Sequence, residues 1–165
     1  MIAKYTTLIS AALLSLGTVV SADQWPTNID VKENAFCEVL KTYEGEIRTA
    51  KQTKNQIKII QVQQKRLNDI KALMPTMFFE NWTLKVELVD VGENLDAMLI
   101  ATMPCEHTVV GEGVSSTDTM MYGQLANVSS GDFVLASGTL LLDKDGNDET
   151  PDTFGAAFTS IVKLN

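Results

Sequence analysis

A helical apolar pattern over residues 30–74 is the feature that most constrains the fold of this chain. From Phe36 onward, apolar side chains recur every three or four residues, and Pro75 then ends the pattern. Asp30, with Glu33 three residues later, predicts an N-cap and a capping box at the start of the helix. A single helix over this range would be about 60 Å long, which exceeds the width of a small domain.

Two arrangements can accommodate a helical pattern of this length. The helix can break, near Gly45 or in the wholly polar interval 51–56, and fold back as a hairpin on its own domain. Alternatively, it can stay continuous, project from the domain and form a coiled coil with another copy through residues 34–74. The sequence leaves both arrangements open, because a narrow apolar stripe can pack either against the chain's own domain or against a second copy.

The second half of the chain has strand patterns in place of helical ones. Alternating apolar residues predict five strands, which cover residues 82–91, 95–103, 106–114, 132–142 and 154–164. Five strands with an insert after the third are typical of an OB-type barrel. We therefore predict an α+β fold with a long N-terminal helix or helical hairpin in residues 23–75 and a five-stranded antiparallel OB-like barrel in residues 76–165. An open antiparallel sheet is the alternative to the barrel.

Residues 1–22 have the features of a secretory signal peptide. Lys4 precedes an uncharged apolar stretch, and Val20-Ser21-Ala22 matches the small residues that signal peptidase requires. The apolar stretch is shorter than the ~20 residues of a membrane-spanning helix. We expect cleavage after Ala22, no membrane span in the mature chain, and a periplasmic or secreted location in a bacterium.

The chain has two cysteines, Cys37 and Cys105. In an oxidising compartment, such a pair most simply forms a disulfide. A metal site that includes Glu106 and His107, or a reactive thiol, is the alternative use of these sulfurs. The tight paired spacing of zinc ligands is missing, so we predict the disulfide.

The two halves of the chain differ in charge. Residues 23–74 carry 9 basic and 7 acidic side chains, whereas residues 75–165 carry 3 basic and 14 acidic ones. An acidic protein repels the phosphates of nucleic acids, so we expect no nucleic-acid partner. We expect a protein partner, or a second copy of the chain, to contact the basic helical part. The candidate interaction residues are Arg48, Lys51, Lys54, Lys58, Lys65 and Arg66.

The segment "DKDGNDETPD" resembles a calcium-binding loop, because Asp143, Asp145 and Asn147 alternate as oxygen ligands do. Such a loop needs Gly at its sixth position and Glu at its twelfth. This chain has Asp148 and Phe154 there. The abundance of turn residues favours a solvated hairpin loop, with a weak calcium site as the alternative.

Three stretches carry a resemblance to a group of uncharacterised bacterial secreted or periplasmic domains with an OB-like β-barrel. They are "FFENWTLKVELVDV", "LANVSSGDFVLASGTLL" and "FTSIVKL", and the similarity covers about residues 78–163. The group combines an aromatic-Trp opening strand, a Ser-Gly-Asp loop before a Val-x-x-Ser-Gly strand, and a Phe-Thr-Ser end. The resemblance implies the barrel and assigns no catalytic residue.

The sequence contains no recognisable catalytic set. His107 is the single histidine, and the nucleophile elbow, the phosphate-binding loop and the dinucleotide fingerprint are all missing. We predict no enzymatic activity and no cofactor. The function we expect is that of a non-catalytic periplasmic or secreted binding or adaptor protein that acts through protein–protein contacts. An inhibitor or immunity-type protein and a weakly calcium-binding or hydrolytic domain are the alternatives.

Overall fold

The computed structural model describes residues 24–92, 94–111, 113–115, 117–142 and 153–164. The helices are α1 (Val31–Gln52), α2 (Gln56–Leu73) and α3 (Thr119–Leu125). The strands are β1 (Phe78–Val91), β2 (Ala97–Thr102), β3 (Thr108–Gly111), β4 (Phe133–Leu141) and β5 (Thr153–Lys163). The α+β class predicted from the sequence is confirmed. The predicted signal peptide lies outside the described residues, as does the predicted calcium loop up to Asp152.

The long helical pattern forms a hairpin of two helices. At its start, the Asp30 carboxylate accepts hydrogen bonds from two backbone N–H groups of the first turn, as an N-cap does. The helix then breaks within the polar interval, where Lys54 adopts a left-handed conformation with φ of 54°. Asn55 caps the second helix by accepting from the N–H of Lys58. Gly45 lies inside α1, so of the two candidate positions it is the polar interval that breaks the helix.

The apolar stripe of the hairpin is buried in two places. Near the barrel, Phe36, Leu40 and Ile70 belong to the main core of the molecule. Farther from it, α1 and α2 are held by a separate small cluster of Tyr43, Ile47 and Val62. Apart from Ile57 and Ile60, which are exposed, the stripe that could have formed a coiled coil between copies is therefore largely buried within one chain.

The five strands form a closed barrel in the order β1-β2-β3-β5-β4. All neighbouring pairs are antiparallel except β3 and β5, which run parallel and pair Thr108 with Thr153. The prediction of a purely antiparallel barrel is therefore wrong. The reason is geometric: with an odd number of strands, directions cannot alternate all the way around a closed ring. At least one neighbouring pair has to be parallel.

The hairpin is fastened to the barrel by aromatic packing and by the cysteine pair. Phe36 of α1 contacts Trp82 and Phe154, with ring centroids 5.0 and 5.5 Å apart. Cys37 and Cys105 lie at disulfide distance, with an S–S length of 2.11 Å across a sequence separation of 68. These contacts bring the first two turns of α1 close to the turn between β2 and β3.

Candidate functional site

A cavity of about 170 Å³ lies between α1, α2 and the turn before β3. The helical period places several α1 side chains on one face toward it, because residues three and four apart lie side by side on a helix. Arg66 enters from α2, and His107 enters from the turn. We call this the basic cavity, and its lining is Leu40, Glu44, Ile47, Arg48, Lys51, Arg66 and His107.

Two of the lining side chains are buried and share one aromatic support. Arg66 is 7% exposed and His107 is 5% exposed. The guanidinium carbon of Arg66 lies 5.9 Å from the ring centroid of Phe154, and the His107 ring lies 6.1 Å from the same centroid. Because Phe154 is itself buried, both polar groups are positioned by the core of the barrel.

The His107 ring is oriented by the backbone. Its Nδ1 lies 2.9 Å from the carbonyl oxygen of Cys105, which accepts a hydrogen bond when Nδ1 carries the proton. In that tautomer of the neutral ring, Nε2 is an acceptor. The cysteine pair thus contributes to the site indirectly, because it fixes the turn that orients the imidazole.

Among the described lining residues, positive charge exceeds negative charge. Arg48, Lys51 and Arg66 are cations, and Glu44 is the one carboxylate in this described set. Glu44 pairs with Arg48 at 2.5 Å, and both side chains are substantially exposed. An exposed pair of this kind contributes well under about 1 kcal/mol, so Arg48 can exchange Glu44 for a ligand carboxylate at small cost. The arrangement suits a negatively charged group.

The structure separates the six predicted interaction residues into groups. Three of them, Arg48, Lys51 and Arg66, line the basic cavity. Lys65 places its ammonium group 5.3 Å from the centroid of the Tyr43 ring. The remaining two, Lys54 and Lys58, are exposed where the hairpin turns into α2.

Two polar lining residues, Glu44 and His107, were not among the predicted interaction residues. Glu44 was detectable, since it stands four residues before Arg48 on a predicted helix. For His107, the sequence suggests only metal, thiol or hydrolytic chemistry, and no role in binding a partner. Its approach to the hairpin depends on the fold of the barrel, and no local pattern indicates it.

The structure bears on the alternative uses of the cysteines but not on the predicted calcium site. Cys105 is engaged with Cys37, which leaves no thiol there. In the described part of the chain, no group of three or more His, Cys, Asp or Glu side chains is arranged to hold a metal ion. The predicted calcium ligands Asp143, Asp145 and Asn147 lie outside the described residues.

A second unusual group is the carboxyl of Glu33, which is fully buried. Its Oε2 accepts a hydrogen bond of 2.9 Å from the backbone N–H of Thr83 in β1. Its Oε1 has no hydrogen-bond partner among the described residues. Glu33 thus bonds to β1, and the prediction that it completes a capping box with Asp30 is wrong.

The environment of Glu33 makes its ionisation unfavourable. Burial is the largest cause, and it raises the pKa of this carboxyl from 4.5 to about 8, with a smaller contribution from the charge of Asp30. The hydrogen bond from Thr83 acts in the opposite direction. Glu33 is therefore protonated at neutral pH, where a carboxylic acid is a neutral hydrogen-bonding group.

Comparison of the chain with protein-family models, with curated proteins and with solved structures finds no significant match. The resemblance to secreted bacterial domains is thus supported only as far as the closed five-stranded barrel. Within the described residues, the helices are too short or too polar to span a bilayer. The function has to be argued from the site itself.

Proposed function

We propose that the protein is a non-catalytic periplasmic or secreted binding or adaptor protein that acts through protein–protein contacts. In this proposal, the basic cavity receives an acidic side chain or a terminal carboxylate of the partner. The observation that supports it most directly is the convergence of Arg48, Lys51 and Arg66 on one cavity beside His107. These groups come from two helices and a barrel turn, so the cavity exists only in the folded chain.

The chemistry of the lining favours a carboxylate that carries a short hydrocarbon stem. A guanidinium group binds a carboxylate through two parallel hydrogen bonds, which gives direction as well as attraction. Leu40 and Ile47 supply apolar contact for the methylene groups of an aspartate or glutamate. A cavity of about 150 Å³ is known to hold a molecule as large as benzene, so the observed size suits one acidic side chain.

The barrel topology supports a binding role by analogy of fold. The closed five-stranded barrel and the helix between β3 and β4 support the proposal that this half of the chain is an OB-type barrel. Such barrels bind ligands at the outer face of their second and third strands. The acidic charge of this half of the chain favours a protein partner over a nucleic acid.

An exported location is part of the proposal. The cysteine pair at disulfide distance is the structural feature that supports it, because disulfides persist in oxidising compartments. The signal-peptide pattern in the sequence supports it independently.

Binding of labelled acidic peptides tests the proposed function. Two octapeptides that differ only in having Glu or Gln at alternate positions would be titrated with the oxidised protein, and fluorescence anisotropy would report binding. We expect the Glu peptide to bind and the Gln peptide to bind at least about tenfold more weakly, because only the former carries carboxylates. Equal binding of the two peptides would contradict the proposal.

Variants then locate the binding to the basic cavity. Arg48→Gln combined with Lys51→Gln should weaken binding of the Glu peptide, since both cations line the cavity. Lys41→Gln is the matched control, because Lys41 is an exposed cation of the same helix that does not line the cavity. If the control weakens binding as much as the double variant, the peptide is held by general charge attraction and the cavity is not its site.

A further inference from the structure

The turn end of the hairpin exposes a surface that is both apolar and basic. Ile57 is 71% exposed and Ile60 is 51% exposed, and they stand three residues apart on the first turns of α2. Lys54 and Lys58 flank them and are also exposed. We call these four residues the hairpin tip. Residues 51–60 contain no acidic side chain, so the positive charge of the tip is not offset nearby in the chain.

The outer surface of the barrel carries an apolar stripe across three strands. Leu88 of β1 pairs with Ile100 of β2, which pairs with Val110 of β3. Directly paired residues point to the same face of a sheet, and the neighbours Leu99 and Val109 are buried inside the barrel. The barrel stripe, Leu88, Ile100 and Val110, therefore faces outward. Leu88 is 44% exposed.

Two carboxylates border the barrel stripe on β1. Glu87 and Asp90 flank Leu88 and are exposed. Glu87 accepts a hydrogen bond from the Thr102 hydroxyl, and Asp90 accepts one from the next backbone N–H. Neither forms an ion pair with a described residue. Lys85 is the single cation of β1, two positions before Glu87.

The two surfaces are complementary in size and in charge. Adjacent strands are about 4.8 Å apart, so the barrel stripe is roughly 10 Å long, which is enough to receive two isoleucines separated by about 4.5 Å along a helix. The lysines of the tip match the carboxylates beside the stripe. In the single chain, Ile57, Ile60 and Leu88 are exposed, and Ile100 and Val110 are half-buried. The exposure of both tip isoleucines shows that the tip does not cover its own stripe.

We propose that the hairpin tip of one copy of this protein docks on the barrel stripe of a second copy. Ile57 and Ile60 bury against Leu88 and its neighbours, while Lys54 and Lys58 approach Glu87 and Asp90. Each copy offers one tip and one stripe. The contact is therefore either reciprocated in a two-fold dimer or repeated in a ring or chain. This assembly does not rest on the basic cavity, since none of its residues lines that cavity.

Sedimentation velocity of the oxidised protein over a range of concentrations tests the proposal. We expect association at about 0.02 M salt and weaker association at about 0.5 M salt, because the charged contacts are exposed and screened. Ile57→Ser should also weaken association, and the fold should remain intact because the side chain is largely exposed. A wild-type protein that stays monomeric at high concentration in low salt would overturn the proposal.

Charge reversal provides the sharper test. Lys54→Glu/Lys58→Glu and Glu87→Lys/Asp90→Lys should each weaken self-association at least about tenfold, since each replaces attraction by repulsion. A mixture of the two variants should associate, because every contact between unlike copies then joins opposite charges. Lys32→Glu/Lys41→Glu is the control on the exposed surface of α1 and should leave association unchanged. Failure of the mixture to associate, or equal weakening by the control, would refute the tip-to-stripe contact.

Discussion

The buried carboxyl of Glu33 should make this protein less stable as the pH rises through neutrality. Its pKa is about 8 in the folded chain and close to 4.5 when the chain is unfolded. Between these two values, the folded state holds a proton that the unfolded state has released. Since the unfolded state binds fewer protons in this window, the free energy of unfolding falls with increasing pH.

The size of the effect follows from the shift. Protonated Glu33 makes its full contribution to the free energy of unfolding below about pH 4.5. Each further pH unit lowers that free energy by up to about 1.4 kcal/mol, until the pKa near 8 is reached. The complete loss is therefore on the order of 5 kcal/mol, a large fraction of the stability of a small domain. Above the folded-state pKa, the contribution of Glu33 no longer changes with pH.

Glu33→Gln is the variant that isolates this effect. The glutamine keeps an oxygen that accepts from the N–H of Thr83, but it has no proton to lose. We would measure urea unfolding of the oxidised protein at several values between about pH 5 and about pH 9. Relative to the variant, the wild-type protein should lose stability steadily up to about pH 8.

Glu46→Gln is the matched control for the pH dependence of stability. Glu46→Gln changes an exposed carboxylate of the same helix and should follow the wild-type curve. If the stability difference between wild type and Glu33→Gln stays constant with pH, or if the wild type gains stability as pH rises, Glu33 is ionised in the folded state. Burial would then not raise the pKa of Glu33 above neutral pH.

Three further predictions concern the hairpin and the barrel wall. Gly138→Ala should destabilise the fold by about 1–3 kcal/mol, because an added Cβ would lie 2.4 Å from the carbonyl oxygen of Ala157. Gly45→Ala, where a Cβ meets nothing within 4 Å, should instead stabilise α1 by up to about 1 kcal/mol, and urea unfolding of both variants checks the contrast. Asp69→Asn should lower the pKa of Tyr43, which is raised chiefly by its hydrogen bond to Asp69, and spectrophotometric titration of the tyrosines would show it. An unchanged tyrosine titration would mean that this hydrogen bond is not formed in solution.

The elements of the fold were largely predictable from local pattern. The predicted N-cap Asp30 begins the first helix, and the second helix ends just before Pro75. The five strands appear within a few residues of their predicted ranges. These features depend on side-chain periodicity and on capping or breaking residues that act over one helical turn or one strand.

The candidate site was predictable only in part. A cluster of cations was visible in the sequence, and three of its members do converge on the basic cavity. The sequence did not show which three cations would line the cavity. Lys51 lies on α1 and Lys54 lies beyond its end, and the position of that end was not predicted. The contribution of His107 requires the turn between β2 and β3 to reach the hairpin, and that is a property of the assembled domain.

By itself, the sequence determined the kinds of element, their order and the opposite charges of the two halves. Each of these is encoded by residues close together in the chain. Only the tertiary structure decided the parallel pairing of β3 with β5, the burial of Glu33 against Thr83, and the meeting of Arg66 and His107 on Phe154. These arrangements join positions tens of residues apart, and they arise because five strands must close into one ring while the hairpin buries its apolar stripe against it.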